Sequence, residues 1–432
     1  MRQSTIALVA AIGLLGGCSI VDIQPDQRQA APRQDVVTPA LQDVERFWAA
    51  NFGTVADGAR FTPVQGGKFP YTRNDPPPAC GGQASDYQPN AFYCPPDDFI
   101  AWDADQLIPE LQETYGDLLV GFVMAHEYGH AIQARIGPDN QPTVVLEQQA
   151  DCYAGAWLAD VLAGKSTAFK DVTASQLDDT VAGMLSLRDQ PGTPALAEGA
   201  HGNAFDRIRA LQDGVDEGVT TCAGYRARNL PVTEVPFSTP EDQASGGNLE
   251  YDRAVSALAD DAQKYWQRTY PELTNGQAWA DLPLQPFRAG EPPECANPDA
   301  AAEGAAFYCP DGDFAAFDST RLGPALHQRI GDFALGMMLG DLFSRAVQTR
   351  RGQETRTEQG QLAVDCLAGA WTNDLLTRPP GSELTLSPGD LDEAVQALLA
   401  FGRNAEGTGP TAFDRIGAYR EGTLKGLDAC TG

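Results

Sequence analysis

Two long stretches in the first half of the chain carry apolar residues at helical spacing. Residues 116–136 have a broad apolar side, and Gly137-Pro138 follows as a stop signal. The residues of this apolar side are Leu118, Leu119, Phe122, Val123, Ala125 and Ile132. A second helix is predicted over residues 143–163, with Thr143 as its N-cap.

Shorter patterns surround these two helices. Residues 43–52 predict a short amphipathic helix that carries Trp48, and residues 61–64 and 99–102 predict short strands. The combination predicts an α+β fold that is mainly helical with a small sheet.

The chain repeats these patterns once, in the same order. Ala91-Phe92-Tyr93-Cys94-Pro95 recurs at 306–310, and the blocks that begin at Asp151 and Ala204 recur at Asp365 and Ala412. Equivalent residues of the two copies are about 215 positions apart in the first two blocks and 208 positions apart in the last block. We therefore predict a tandem duplication. Its predicted parts are a first domain over 43–228, a linker over 229–250 and a second domain over 251–432.

The N-terminus is typical of an export signal. Residues 6–17 are apolar but too short to span a bilayer, and they end in Leu15-Gly16-Gly17-Cys18. This pattern resembles a bacterial lipoprotein signal, which implies cleavage after residues 1–17 and lipid on Cys18; a plain secretory signal is the alternative. Residues 18–42 are predicted to be a flexible tether. We expect a chain exported and lipid-anchored to the bacterial cell envelope.

Eight cysteines follow Cys18, four in each copy, at matching positions. An even number in an exported protein predicts disulfides. The simplest pairing that respects the repeat is Cys80–Cys94, Cys152–Cys222, Cys295–Cys309 and Cys366–Cys430. The sequence contains no C-x-x-C pair, which argues against a thiolate zinc site or a redox motif.

The composition narrows the class of partner. The chain has 42% hydrophobic and 21% charged residues, as a globular protein does. Its formal net charge of −29 argues against binding to nucleic acid, which requires a basic face. It also argues against electrostatic docking on an anionic membrane.

The candidate chemistry lies on the two long helices. His126-Glu127-Tyr128-Gly129-His130 is an H-E-x-x-H motif, in which residues four apart share one helical face. The two imidazoles can therefore bind one zinc ion, and Glu127 can reach a water molecule on it. Two incidental histidines on a helix are the alternative.

A third ligand is predicted on the second helix. Glu147 lies 17 residues after His130, and Asp151 follows one helical turn later. We predict that Glu147 binds the metal and that Asp151 hydrogen-bonds a ligand histidine. Asp151 as the third ligand, or Glu147 as a solvated carboxylate, are the alternatives. The second copy keeps Asp365 but has Gln361 in place of Glu147, which favours a supporting role for Asp151.

These motifs together resemble the bacterial putative neutral zinc metallopeptidase family. The resemblance covers roughly residues 43–228 and rests on four blocks. The blocks are Phe92–Pro95, His126–His130, Glu147–Gly155 and His201-Gly202 with Asp206-Arg207. It implies a zincin-like metallopeptidase domain, zinc as cofactor and peptides or proteins as substrates.

The second copy lacks the predicted site. His126, Glu127 and His130 align with Asp341, Leu342 and Arg345, so we predict that this copy is inert. Asp341 and Arg345 are predicted either to pair with each other or to be unrelated surface charges.

Three further residues are interpreted from the repeat. His201 aligns with Gly409 and is a candidate donor to the oxyanion of the tetrahedral intermediate, with a structural loop histidine as the alternative. Trp157 and Trp371 occur in both copies and are predicted to be core residues.

The predicted function is peptide-bond hydrolysis by a zinc-activated water. Glu127 is the predicted general base, and a strand around Phe99 to Asp103 is a candidate to hold the substrate backbone. Two alternatives belong to other classes: a non-catalytic lipoprotein that holds a protein partner at residues 251–432, and a zinc-binding protein without catalysis.

Overall fold

The computed structural model describes residues 35–84, 86–137, 141–197, 199–229, 232–297, 304–379, 381–402 and 409–431. The predicted signal, Cys18 and most of the predicted tether lie outside these residues. No helix in the described ranges is both long enough and apolar enough to cross a membrane.

Helices dominate the described part of the first half. They are α1 (Val37–Val55), α2 (Leu107–Tyr115), α3 (Asp117–Ile136), α4 (Thr143–Leu162), α5 (Ala174–Ser186) and α6 (Ala204–Ala223). The strands are β1 (Gly67–Tyr71), β2 (Ala91–Cys94) and β3 (Phe99–Asp103). The prediction of a mainly helical α+β fold with a small sheet is confirmed.

Helix α3 lies at the centre of the first half. It packs against α1, α2, α4, α5 and β2, and its residues from Leu118 to Gly129 are all buried. Gly129 allows the close approach of α4, because a Cβ atom at this position would lie 2.9 Å from Ala150 Cα. This contact sets the distance between the two helices that carry the candidate metal ligands.

Helix α4 is held on its other side by α6. A Cβ atom on Gly155 would lie 2.1 Å from Leu211 O, so only glycine allows the two backbones to come this close. A disulfide between Cys152 and Cys222 links the same two helices. Closing a loop of this length contributes about 4 kcal/mol in the chain-entropy model.

The sheet of the first half has the order β1-β3-β2, with β1 parallel and β2 antiparallel to β3. The predicted strand at Phe99 is confirmed, but the one predicted over residues 61–64 is wrong. There the backbone bonds with side chains instead: Arg135 donates to Thr62 O and Pro63 O, and Val64 N–H donates to Tyr128 Oη.

Two predicted helix boundaries also differ from the structure. Helix α1 begins at Val37 and buries Val37, Ala40 and Leu41, so the predicted tether over 18–42 extends too far. Pro142, not Thr143, is the N-cap of α4, and no side chain caps this helix. The start of α1 thus lies six residues before the predicted position, whereas α4 begins at Thr143 and differs only in its N-cap.

The second half presents a matching series of elements after the short helix α7 (Pro240–Ala244). The helices are α8 (Tyr251–Leu273), α9 (Leu322–Arg329), α10 (Asp332–Arg350), α11 (Glu358–Leu376), α12 (Asp390–Gly402) and α13 (Ala412–Lys425). The strands are β4 (Leu284–Phe287), β5 (Ala306–Cys309) and β6 (Phe314–Asp318), in the order β4-β6-β5. Strand order, strand direction and helix succession thus follow those of the first half.

Equivalent contacts recur in the two halves. The structure forms the four predicted disulfide pairings, and the paired cysteines have sequence separations of 14, 70, 14 and 64. Trp157 and Trp371 are both fully buried, as predicted for core residues. Their indole N–H groups donate to Asp43 and Asp261 on the equivalent helices α1 and α8. A duplication would produce these matching contacts.

Candidate metal centre

Three side chains with metal-ligating atoms meet between α3 and α4. His126 and His130 lie one turn apart on α3, and Glu147 lies in the first turns of α4. Their ligating atoms all lie within 4.8 Å of one another. The structure therefore brings together the three predicted ligands.

The separations between these atoms fit a tetrahedral zinc ion. His126 Nε2 lies 3.2 Å from His130 Nε2 and 3.2 Å from Glu147 Oε2, and His130 Nε2 lies 3.5 Å from Glu147 Oε1. Two ligands at about 2.0–2.1 Å from a tetrahedral zinc are about 3.4 Å apart. In addition, Glu147 Oε2 is buried and has no hydrogen-bond donor in the described part of the chain. The donor set of two imidazoles and one carboxylate matches that of catalytic zinc sites.

Asp151 orients the first histidine. Its Oδ1 lies 2.7 Å from His126 Nδ1, so this nitrogen donates and Nε2 is directed to the other ligands. Arg207 on α6 donates to both oxygens of Asp151 at 2.8 and 3.0 Å. Because both oxygens are engaged on the Nδ1 side of His126, the alternative with Asp151 as the third ligand does not fit.

Gln133 orients the second histidine. Its Oε1 lies 3.0 Å from His130 Nδ1, and its Nε2 donates to Leu146 O at 2.7 Å. The amide orientation is therefore fixed by the backbone of α4, and His130 Nδ1 donates. Both imidazoles thus have the tautomer that leaves Nε2 free to bind a metal.

Glu127 lies beside the three ligands and lines the same cleft. Its Oε2 accepts a hydrogen bond from Tyr93 N–H on β2 at 3.0 Å, and its side chain is buried. Burial raises the pKa of this carboxyl above its usual value, although His126 and His130 oppose the rise. A carboxylate with a raised pKa is suited to accept and return a proton near neutral pH.

Opposite charges shift the pKa values of the ligands in opposite directions. Burial disfavours charge on His126, but Asp151 and Glu147 outweigh this effect and raise its pKa to about 10. Burial would raise the pKa of Glu147, yet the adjacent imidazoles of His126 and His130 hold this pKa well below its usual range. Without metal, His126 is therefore protonated at neutral pH.

Zinc binding is expected to release a proton from His126. Zinc would bind His126 at Nε2, so the metal displaces the proton on this nitrogen, which faces Glu147, while Nδ1 keeps the proton that it donates to Asp151. Apparent zinc affinity should therefore increase with pH across the range below the His126 pKa of about 10. Calorimetric titration in buffers of different ionisation enthalpy measures the released proton. Equal binding enthalpies in all buffers near neutral pH would contradict the expectation.

The site opens into a cleft of about 690 Å³. Most of its walls are apolar, and the main apolar residues are Phe92, Leu107, Leu111, Phe122, Val123, Ile136, Leu146 and Leu187. One wall is β2, which is one of the two edge strands of its sheet. The candidate substrate strand over Phe99 to Asp103 is wrong, since β3 is the central strand and pairs on both sides.

The backbone groups of β2 that do not bond β3 lie on the cleft side. Asp103 N–H bonds to Asn90 O, so Asn90, Phe92 and Cys94 face β3 in the antiparallel ladder. Ala91 and Tyr93 therefore direct their backbone groups to the open edge. The bond from Tyr93 N–H to Glu127 agrees with this direction.

His201 also lines the cleft, but it is not one of the clustered ligands. Its side chain is 52% exposed, and its Nδ1 lies 3.4 Å from Asp189 Oδ1. Asp189 Oδ2 accepts from the backbone N–H groups of His201 and Gly202. The loop is thus fixed at the cleft, and the role of His201 in stabilising an oxyanion stays a prediction.

The equivalent place in the second half holds an ion pair. Arg345 Nε lies 2.6 Å from Asp341 Oδ2, so the predicted pairing of these two residues is confirmed. Leu342, at the position of Glu127, is buried. Arg415 bonds both oxygens of Asp365 at 2.8 Å, as Arg207 bonds Asp151. The second half thus retains the Asp–Arg pair without the histidines.

Sequence reasoning did not assign roles to Arg207, Gln133 or the Tyr93 N–H group. Arg207 belongs to the repeated Ala-Phe-Asp-Arg-Ile block, and its recurrence together with Asp151 was the available signal. Gln133 lies three residues after His130, a spacing that places both side chains on one face.

Comparison with known proteins agrees with the site. Residues 19–225 match the family described as "Putative neutral zinc metallopeptidase". The metal centre lies within the matched residues.

Two relatives match part of the chain. The chain is 30% identical over 173 residues to "Uncharacterized protein Rv2575" of Mycobacterium tuberculosis, covering 37% of this chain and 55% of that protein. It is 29% identical over 158 residues to "Uncharacterized protein YpfJ" of Escherichia coli K12, covering 31% and 53%. The chain thus spans about half the length of these relatives. No solved structure gives a significant match.

Proposed function

We propose that this protein is a zinc-dependent peptidase whose first half carries the active site. The observation that carries the proposal is the cluster of His126, His130 and Glu147, with separations of 3.2–3.5 Å between ligating atoms. The buried Glu127 beside it supplies a carboxylate suited to proton transfer.

Each residue of the site has a distinct role in the proposed amide hydrolysis. His126, His130 and Glu147 would hold zinc, which when bound lowers the pKa of a water molecule and polarises the scissile carbonyl. Glu127 takes the proton from the attacking water and returns it to the leaving amine. Asp151 and Gln133 keep the imidazoles in the required tautomer. His201 is the proposed donor to the oxyanion.

The cleft supports a peptide as substrate. An extended chain can pair with the open edge of β2, where Ala91 presents its N–H and C=O groups and Tyr93 presents its C=O group. The apolar walls would contact apolar side chains near the scissile bond. The membrane anchor at Cys18, the location in the cell envelope and an inert second half are parts of the same proposal.

The experiment is a peptide-library digestion with the purified chain. We expect cleavage that stops when a chelator removes zinc and returns when zinc is added. Bound zinc without cleavage of any peptide would contradict the enzyme and favour the binding role at residues 251–432. No bound zinc, even after zinc is added, would contradict the metal site itself.

A further inference from the structure

The two halves contact each other through equivalent helices. Phe205 N–H at the start of α6 donates to Asp392 Oδ1 on α12 at 3.0 Å. In the reverse direction, Phe413 N–H at the start of α13 donates to Asp178 Oδ1 on α5 at 3.2 Å. The two phenylalanines occupy the same place in the repeated block, and each carboxylate follows a leucine in Leu177-Asp178 and Leu391-Asp392. The contact is therefore reciprocal.

Asp392 holds two segments of the first half at once. Besides the first turn of α6, its Oδ2 lies 3.0 Å from Arg188 Nε. The Asp392 side chain is buried, so this charge interacts with these two partners in a low-dielectric setting. A carboxylate at the start of a helix also interacts favourably with the helix dipole.

Both segments support Arg207. Phe205 precedes Arg207 by two residues in the first turn of α6, and Leu187, next to Arg188, accepts from Arg207 Nη1 through its carbonyl at 2.7 Å. Arg207 then bonds Asp151, which bonds His126. Contacts of 3.0 Å or less, joined by short stretches of backbone, thus connect Asp392 to a candidate metal ligand.

Other residues of the second half fix the next turns of α6. Arg420 Nη1 donates to Arg209 O at 2.9 Å and lies 3.0 Å from Asp213 Oδ1. Gln212 Nε2 donates to Phe413 O at 2.8 Å. The second half therefore fixes both the position and the rotation of the helix that carries Arg207.

The reciprocal contact, from Phe413 N–H to Asp178, does not support a metal centre. Asp178 supports α13, which carries Arg415, and Arg415 bonds Asp365. Next to that carboxylate lies the Asp341–Arg345 pair and no histidine. Asp178 and Asp392 thus make matched interface contacts, but only that of Asp392 leads to the metal centre.

We propose that Asp392, in the half without a metal site, is a positioning residue for the metal centre of the first half. It acts through α6, Arg188 and Arg207 to hold Asp151 and thereby the His126 imidazole. The inference rests on the proposed zinc site and gives the second half a role in completing it.

The test compares Asp392→Ala with Asp178→Ala in the full-length chain. Each variant leaves one buried backbone N–H at the interface unpaired, so both should lower the midpoint of thermal unfolding. Asp392→Ala also removes the contact with Arg188. Only Asp392→Ala should weaken zinc binding, by about tenfold, as when a group supporting a metal ligand is lost. The zinc dissociation constant is measured by chelator competition well below the unfolding midpoint. Asp392→Asn keeps an acceptor for Phe205 N–H and should give a smaller loss.

Equal zinc affinity in the Asp392→Ala and Asp178→Ala variants would overturn the inference and leave the peptidase proposal intact. If Asp392→Ala does not fold, Asp392→Asn decides by the same comparison. A wild-type chain that binds no zinc would instead overturn the proposed function, and this inference with it.

Discussion

Replacing Glu127 by Gln is expected to abolish peptide hydrolysis while zinc stays bound. The substitution keeps the shape of the side chain and an oxygen that accepts from Tyr93 N–H. It removes the group that accepts a proton, and general acid–base catalysis contributes about 10²–10⁴-fold to rate. The measurement is kcat/KM on a peptide cleaved by the wild-type chain, with zinc content determined on the same sample.

Glu110→Gln is the matched control, since Glu110 is an exposed carboxylate on α2. It changes the net charge equally and should hydrolyse the peptide at the wild-type rate. Wild-type turnover by the Glu127→Gln variant would show that another group is the base. Loss of zinc in that variant would show that Glu127 acts as a ligand.

Replacing His126 by Ala is expected to remove zinc from the purified chain. The substitution deletes one of three protein ligands, so zinc affinity should fall by more than the about 10–100-fold that follows loss of a supporting residue. Asp151 remains paired with Arg207, so its buried charge keeps a partner and the fold should persist. Zinc per chain is measured by mass spectrometry after purification without chelators.

His327→Ala is the control for removal of a histidine. His327 lies in the second half, and its Nε2 is 2.7 Å from Leu249 O, as expected for a structural histidine. This variant should keep one zinc per chain. One zinc per chain in the His126→Ala variant would contradict the assignment of the site.

The ligand set was predictable because it depends on local spacing. His126 and His130 are four residues apart on a helix with a continuous apolar pattern, so their common face follows from helix geometry. The prediction of Glu147 as the third ligand required only a second helix and the comparison with Gln361 in the other copy. The disulfide pairing followed in the same way, because the repeat reduced the possible pairings to one simple set.

The strands were less predictable than the helices. The segment around Pro63 has a strand-like composition, but Arg135 and Tyr128 bond its backbone and leave no partner strand. The apolar pattern of β3 predicted a strand and gave no indication of its central position. Pairing order depends on contacts between distant residues, which a local pattern does not contain.

The sequence alone therefore predicted the duplication and determined the types of the ligand residues and the likeness to a zinc metallopeptidase family. All three could be recognised because they depend only on the spacing and repetition of residues along the chain. Only the tertiary structure decided which groups support the ligands. Arg207 lies 56 residues from Asp151 along the chain, and Asp392 lies 187 residues from Phe205. Such contacts form when helices pack at close range, as α4 and α6 do at Gly155, and packing is a property of the whole fold.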